Sequence, residues 1–262
     1  MGDLVDLGGY RLYLECGGAG TPTVVLEAGM GDASGTWNPI FPQIATFTRV
    51  CRYDRAGRGR SDPAPAPRRT SQLLVADLHR LLSLAAVPGP YLLVGHSFGG
   101  VNVLLYAHRY PDEVVGLVLV DSAHPDQDAR CLALLPPESA AEPAELQRYR
   151  RFLLRQPGDT EFDPEGIDWP TSMAEGRAVR SLGALPLVVL TAVQTGWPTT
   201  WPPELVAQLD QDGMAMQREL VSLSTNGRHI VAADSGHYMQ YDQPQLIVDT
   251  IRELVARLRQ AG

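Results

Sequence analysis

Lysine is missing from this sequence. All 22 basic residues among its 262 are arginine, set against 30 acidic ones, for a formal net charge of -8 and a pI near 5.2. The preference for arginine reads as base composition and carries no mechanistic weight. The acidic balance does exclude something: binding a phosphate backbone needs clustered cations to displace counterions, so nucleic acid is not an expected partner. Long hydrophobic runs are also missing. No stretch of about 18 apolar residues could span a bilayer, and residues 1–9 lack a basic segment leading into an apolar run. The expectation is a soluble, cytoplasmic protein without a membrane partner. Cysteine is scarce, with Cys16, Cys51 and Cys131 widely spaced and no C-x-x-C pair. That pattern predicts reduced thiols, neither a disulfide framework nor a zinc site, and no metal.

What is present is enough apolar residue, 44%, for one large domain with a buried core. Short β-branched runs at Thr23–Glu27, Thr48–Tyr53, Tyr91–Val94, Val114–Val120, Leu187–Thr191 and His229–Ala233 read as strands. They alternate with helix-period segments at Ser71–Ala86, Phe98–Arg109, Met214–Leu223 and Pro244–Arg259. Continuously apolar strands suit a parallel sheet covered on both faces. Gly2–Leu7 and Tyr10–Cys16, joined at Gly8-Gly9, read as an antiparallel hairpin at its edge. The fold class is therefore α/β with a mostly parallel sheet. About 65 residues separate Asp121 from Leu187, far more than a single crossover helix requires. Residues 122–185, with helical patterns at Ala144–Arg155 and Met173–Ser181, read as an inserted helical cap on a core made of 1–121 and 186–262. Such a cap belongs at the carboxyl ends of the strands, where open α/β sheets bind ligands.

Gly95-His96-Ser97-Phe98-Gly99 follows a predicted strand and opens a predicted helix. G-x-S-x-G in that setting describes a sharp strand-to-helix turn that exposes the serine hydroxyl, with glycines where side chains would meet neighbouring backbone. A serine needs a base to take its proton, and that base must come from elsewhere in the chain. His96 should point away from its neighbour Ser97, His79 and His108 lie in helices, and His229 begins a strand. His124 and His237 remain, both on loops at strand ends.

From about residue 10 to residue 259 the chain resembles the α/β-hydrolase superfamily, in the order of its motifs as well as in each one. Ala28-Gly29-Met30-Gly31 stands where the family has its oxyanion loop, with Ala28 in place of the usual histidine. Tyr53-Asp54-Arg55-Ala56-Gly57-Arg58-Gly59-Arg60-Ser61 is similar to the D-x-x-G-x-G-x-S segment. Gly95–Gly99 matches the nucleophile elbow, and Ser235-Gly236-His237 matches the histidine loop. The resemblance implies an α/β-hydrolase fold and the order nucleophile, acid, histidine, which favours His237 as base. His124 becomes a cap-hinge or pocket residue. The acid departs from the usual pattern, because Ala192–Pro203 contains no Asp or Glu. Some members place the acid at the end of the preceding strand, which lands on Asp121; Asp210, Asp212 and Glu204 are the alternatives. By family position the oxyanion donors are the backbone N–H groups of Met30 and Phe98. Asp54 and Arg55 have a structural role in the family and stay outside the catalytic set.

Trp37, His124, Trp197, Trp201, Tyr238 and Met239 are the candidate pocket residues, since aromatic and Met side chains near strand ends can line an apolar site. A serine nucleophile attacks acyl carbon, whereas the dehalogenases and epoxide hydrolases of this superfamily use aspartate at saturated carbon. The expected function is cofactor-free hydrolysis of a carboxylic ester or lactone, with a small acyl compound as partner. Thioester or carbon-carbon hydrolysis, acyl transfer or cyclisation by the same residues, and a non-catalytic small-molecule receptor are the other readings. The sequence leaves the oligomeric state open.

Overall fold

The computed structural model describes residues 2–63, 66, 68–139, 141–156, 159 and 161–261. Eight strands form one sheet: β1 (Asp3–Asp6), β2 (Arg11–Gly17), β3 (Thr23–Glu27), β4 (Val50–Tyr53), β5 (Tyr91–His96), β6 (Val114–Val120), β7 (Leu187–Ala192) and β8 (Gly227–Ala232). Their spatial order is β1-β2-β4-β3-β5-β6-β7-β8. β1, β2 and β4 pair antiparallel, and every pairing from β4 to β8 is parallel. The helices are α1 (Phe41–Ile44), α2 (Ser71–Leu84), α3 (Phe98–Arg109), α4 (Gln127–Leu134), α5 (Ala144–Leu153), α6 (Trp169–Arg177), α7 (Pro203–Ser222), α8 (Met239–Asp242) and α9 (Pro244–Ala261).

The central strands are apolar throughout because successive side chains point to opposite, equally buried faces. Leu93, Leu117, Leu119 and Val189 pack with Val75 and Leu78 of α2 and with Val103 to Ala107 of α3. Their neighbours Leu92, Val94, Val118 and Leu190 pack with Ile44 of α1 and with Ile247, Ile251 and Leu254 of α9. Helix α7 is much longer than the predicted 214–223. Its second half packs Leu220 on the sheet, whereas Leu205, Leu209 and Met216 face Cys131, Leu146, Leu153 and Trp201. A helix that serves two different neighbours does not keep a single apolar stripe, so its first half reads as polar.

The segment between β6 and β7 folds as α4, α5 and α6. Trp169 and Met173 of α6 pack on Phe98 and Val101 of α3, which sets α6 directly over the start of the helix that follows Ser97. No helix among the described residues is long and apolar enough to cross a membrane.

Cys16 and Cys51 form a disulfide, contrary to the expectation of reduced thiols. They are directly opposed in the β2–β4 register, a relation between two strands that spacing along the chain does not reveal. Cys131 remains a free, buried thiol. The bond removes the thiol argument for a reducing compartment.

Candidate active site

Ser97 sits between β5 and α3 with φ 52° and ψ -121°, in the left-handed region that non-glycine residues seldom occupy. Its surroundings hold it there. The Ser97 N–H donates to the Val120 carbonyl at 3.1 Å, and its own carbonyl accepts from Ala123 N–H at 3.0 Å, tying the turn to the end of β6. Both motif glycines are required sterically. A Cβ at Gly95 would lie 2.5 Å from the Gly99 carbonyl oxygen, and one at Gly99 would lie 2.4 Å from that of Glu27.

Asp121 follows β6 with φ 41°, its N–H bonded to the Leu190 carbonyl at 2.8 Å. Its Oδ1 accepts from Ala192 N–H at 3.0 Å, and its Oδ2 lies 2.7 Å from His237 Nδ1. Since a carboxylate can only accept, Nδ1 carries the proton and Nε2 is left with a lone pair, the tautomer a general base requires. The His237 loop is held at several points. Val193 and Gln194 N–H groups donate to the Ser235 carbonyl, and Gly236 N–H donates to Asp242 Oδ2 at 2.8 Å. The His237 carbonyl accepts from His96 Nε2 at 2.9 Å. Burial, reinforced by the nearby His237, pushes the His96 imidazole down to about 4, so it is a neutral Nε2–H donor near pH 7. Asp32, 3.8 Å from His96 Nδ1, is pushed up by burial against the pull of Arg55 and His237.

Ser97, Asp121 and His237 open onto one cavity of about 530 Å³, whose wall also includes Met30 and Phe98. Phe98 is the first residue of α3, so its N–H has no acceptor within the helix and is available to a ligand. None of the alternative acids meets His237: Asp210 accepts from Trp197 Nε1 and Thr195 Oγ1, Asp212 pairs with Arg130, and Glu204 lies exposed in the first turn of α7.

Residues 22–203 match the family model for the alpha/beta hydrolase fold. The chain belongs to that family. It is 30% identical over 230 residues to an uncharacterized protein of Bacillus subtilis, YqjL, an alignment covering 88% of this chain and 82% of that one. It is 37% identical to a putative carbamate hydrolase of Azorhizobium caulinodans, RutD, over 114 residues, covering 44% of this chain and 42% of that one. Among solved structures it superposes on a putative lipase of Acinetobacter baumannii with a TM-score of 0.68, at 18% identity and covering 100% and 93% of the two chains. A thermophilic esterase of Thermogutta terrifontis gives a TM-score of 0.63 at 20% identity, covering 98% and 99%.

In this family member the cavity wall differs from the set read off the sequence. His124 and Trp197 line it. Trp37 and Met239 do not: both are 0% exposed and pack into the core on the face of the sheet covered by α1 and α9, Trp37 from the end of a short 3-10 turn and Met239 from the start of α8. Trp201 packs behind Trp197, ring centroids 5.1 Å apart, and forms a second layer. Tyr238 is exposed on the outer side of His96 and His237, away from the cavity wall. The residues missed are Tyr149 and Phe152 of α5, Trp169 of α6, and Met214 and Met216 of α7. Tyr149 and Phe152 stand three apart in a predicted helix and so share a face, a signal that was legible. Trp169 offered none.

Proposed function

We propose that this protein is a serine hydrolase that cleaves neutral, largely apolar carboxylic esters or lactones through an acyl-enzyme on Ser97. The observation that carries the reading is the 2.7 Å contact between His237 Nδ1 and Asp121 Oδ2 on the wall of the cavity onto which the Ser97 elbow opens. In this reading Nε2 of His237 takes the Ser97 proton as Oγ bonds to the carbonyl carbon, and the Asp121 carboxylate stabilises the imidazolium. The oxyanion is held by the N–H groups of Met30 and Phe98. The imidazolium then gives its proton to the departing alkoxide as the C–O bond breaks. Water, deprotonated by the same nitrogen, hydrolyses the acyl-serine.

The substrate class follows from the lining. Tyr149, Phe152, Trp169, Trp197 and Met214 offer an apolar, aromatic surface, and among the described lining residues there is no arginine. An anionic substrate would lose its water without gaining a cation, and would face Asp121 and Asp210. Helices α4 to α6 serve in this reading as the cap that shields the acyl-enzyme.

The test is burst kinetics with p-nitrophenyl acetate, butyrate and octanoate. One equivalent of nitrophenol should be released ahead of steady turnover, and Ser97→Ala should lose both phases. Turnover of all three esters by Ser97→Ala at the wild-type rate would end the proposal.

A further inference from the structure

Arg55, from the D-x-x-G-x-G-x-S segment, has no part in the chemistry above, yet its side chain is only 3% exposed. Its guanidinium makes a two-pronged pair with Glu165, Nε to Oε2 at 2.9 Å and Nη2 to Oε1 at 2.6 Å. Nη1 also donates to Glu27 Oε1 at 2.9 Å and to the Ala28 carbonyl at 2.7 Å, and Nη2 donates to the Gly29 carbonyl. Glu165, 2% exposed, accepts from Gly31 N–H through Oε1. Arg58 completes the set by donating to the Gly31 carbonyl. Backbone polar groups immediately before and after Met30 are therefore fixed by one ionic cluster, buried at Arg55 and Glu165 and part-exposed at Arg58.

The two halves of this cluster come from different parts of the chain. Glu27 ends β3 and Arg55 follows β4, and Glu27 also accepts from Asn102 Nδ2 of α3, the helix that starts at the elbow. Glu165 belongs to the segment inserted between β6 and β7. Residues 163–168 are themselves secured, with Asp163 accepting from Ile167 N–H and Arg69 exchanging backbone hydrogen bonds with Gly166 and Asp168. A buried carboxylate is costly without a partner, so Glu165 stays only while it is docked on Arg55.

We propose that Glu165, acting through Arg55 and directly on Gly31, is a positioning residue that sets the oxyanion loop, so that the inserted segment must be docked for the Met30 N–H to be in place. The proposal rests on the hydrolase reading. It assigns a catalytic consequence to a carboxylate that touches no substrate, because an oxyanion donor contributes only when it is preorganised.

The experiment is labelling of Ser97 by a fluorophosphonate, in which Oγ–P forms, P–F breaks and the proton passes to His237. Both the rate constant and the final stoichiometry are measured, beside kcat and KM for p-nitrophenyl butyrate. Losing one oxyanion donor outright costs about 10²–10³, so a loosened donor in Glu165→Gln should slow labelling by about tenfold or more. Labelling should still reach one equivalent, with kcat falling and KM little changed. A purely structural role would instead lower the labelled fraction and leave the rate constant alone. Full stoichiometry at the wild-type rate overturns the proposal. Should Glu165→Gln fail to fold, Arg58→Ala, whose side chain is part-exposed, decides: a loss of about threefold is expected, and an unchanged rate constant overturns it. A wild-type protein that is not labelled at all brings down the hydrolase reading itself.

Discussion

Asp121→Asn is the most informative single substitution, because the structure dictates how the new side chain must lie. Oδ1 of Asp121 is held by the Ala192 N–H at 3.0 Å, and an asparagine keeps that bond only by leaving its carbonyl oxygen there. Its NH₂ then faces His237 Nδ1, where the carboxylate Oδ2 stood at 2.7 Å. Two donors cannot share a hydrogen bond, so Nδ1 becomes the acceptor and the ring proton moves to Nε2. The nitrogen that should take the Ser97 proton is then already protonated, and the stabilising charge is gone as well. The same change in a Ser-His-Asp protease costs about 10⁴ in kcat, or about 5 kcal/mol at 1.36 kcal/mol per tenfold. Here a loss of about 10³–10⁴ in the acylation rate is expected, read from the burst phase with p-nitrophenyl butyrate. Stability should move by less than about 1 kcal/mol, since the Ala192 bond survives and the His237 side chain is 48% exposed. Acylation within about tenfold of wild type would refute the reasoning, because His237 would then not depend on Asp121 for its tautomer.

Two further expectations concern stability. His96 titrates at about 4 when folded against 6.5 unfolded, so between those values the unfolded chain binds more protons and stability falls as the pH drops. The loss should be about 3 kcal/mol by pH 4 in urea titrations, and His96→Gln should flatten that limb by the same amount; an unchanged pH profile would show that the imidazole is not held neutral. The Cys16–Cys51 bond closes a loop across a sequence separation of 35, for which chain entropy predicts about 3–4 kcal/mol. The Cys16→Ser/Cys51→Ser pair should lose about that much without a change in kcat, and thiol titration of the unreduced, unfolded protein should find one thiol; three would refute the bond.

The parts of this molecule that were legible in its sequence are those governed by local geometry. An elbow that forces a serine to φ 52° leaves glycines at 95 and 99, because a side chain at either would run into backbone. Strands buried on both faces leave unbroken apolar runs, so β3, β5, β6 and β7 could be read directly. Asp121 and His237 were named through the family resemblance, and the fold accounts for their meeting: each follows a strand, β6 and β8, at the carboxyl ends of the parallel sheet, where such ends come together. Partnerships across space leave no such trace. Cys16 and Cys51 meet through strand register, not spacing. Trp37 and Trp197 are alike in sequence, each near a strand end, but one packs into the core on the face of the sheet covered by α1 and α9 and the other faces the cavity, and only the path of the chain decides between them. Glu165 is the extreme case. It is one of 30 acidic residues, in a stretch with no motif, and its neighbours in the chain do not mark it out. Its identity is set by Arg55, 110 residues away, and by the backbone N–H of Gly31. A glutamine would keep the shape, but it would leave the buried guanidinium with Glu27 as its sole carboxylate, and that loss of charge is what the labelling rate measures.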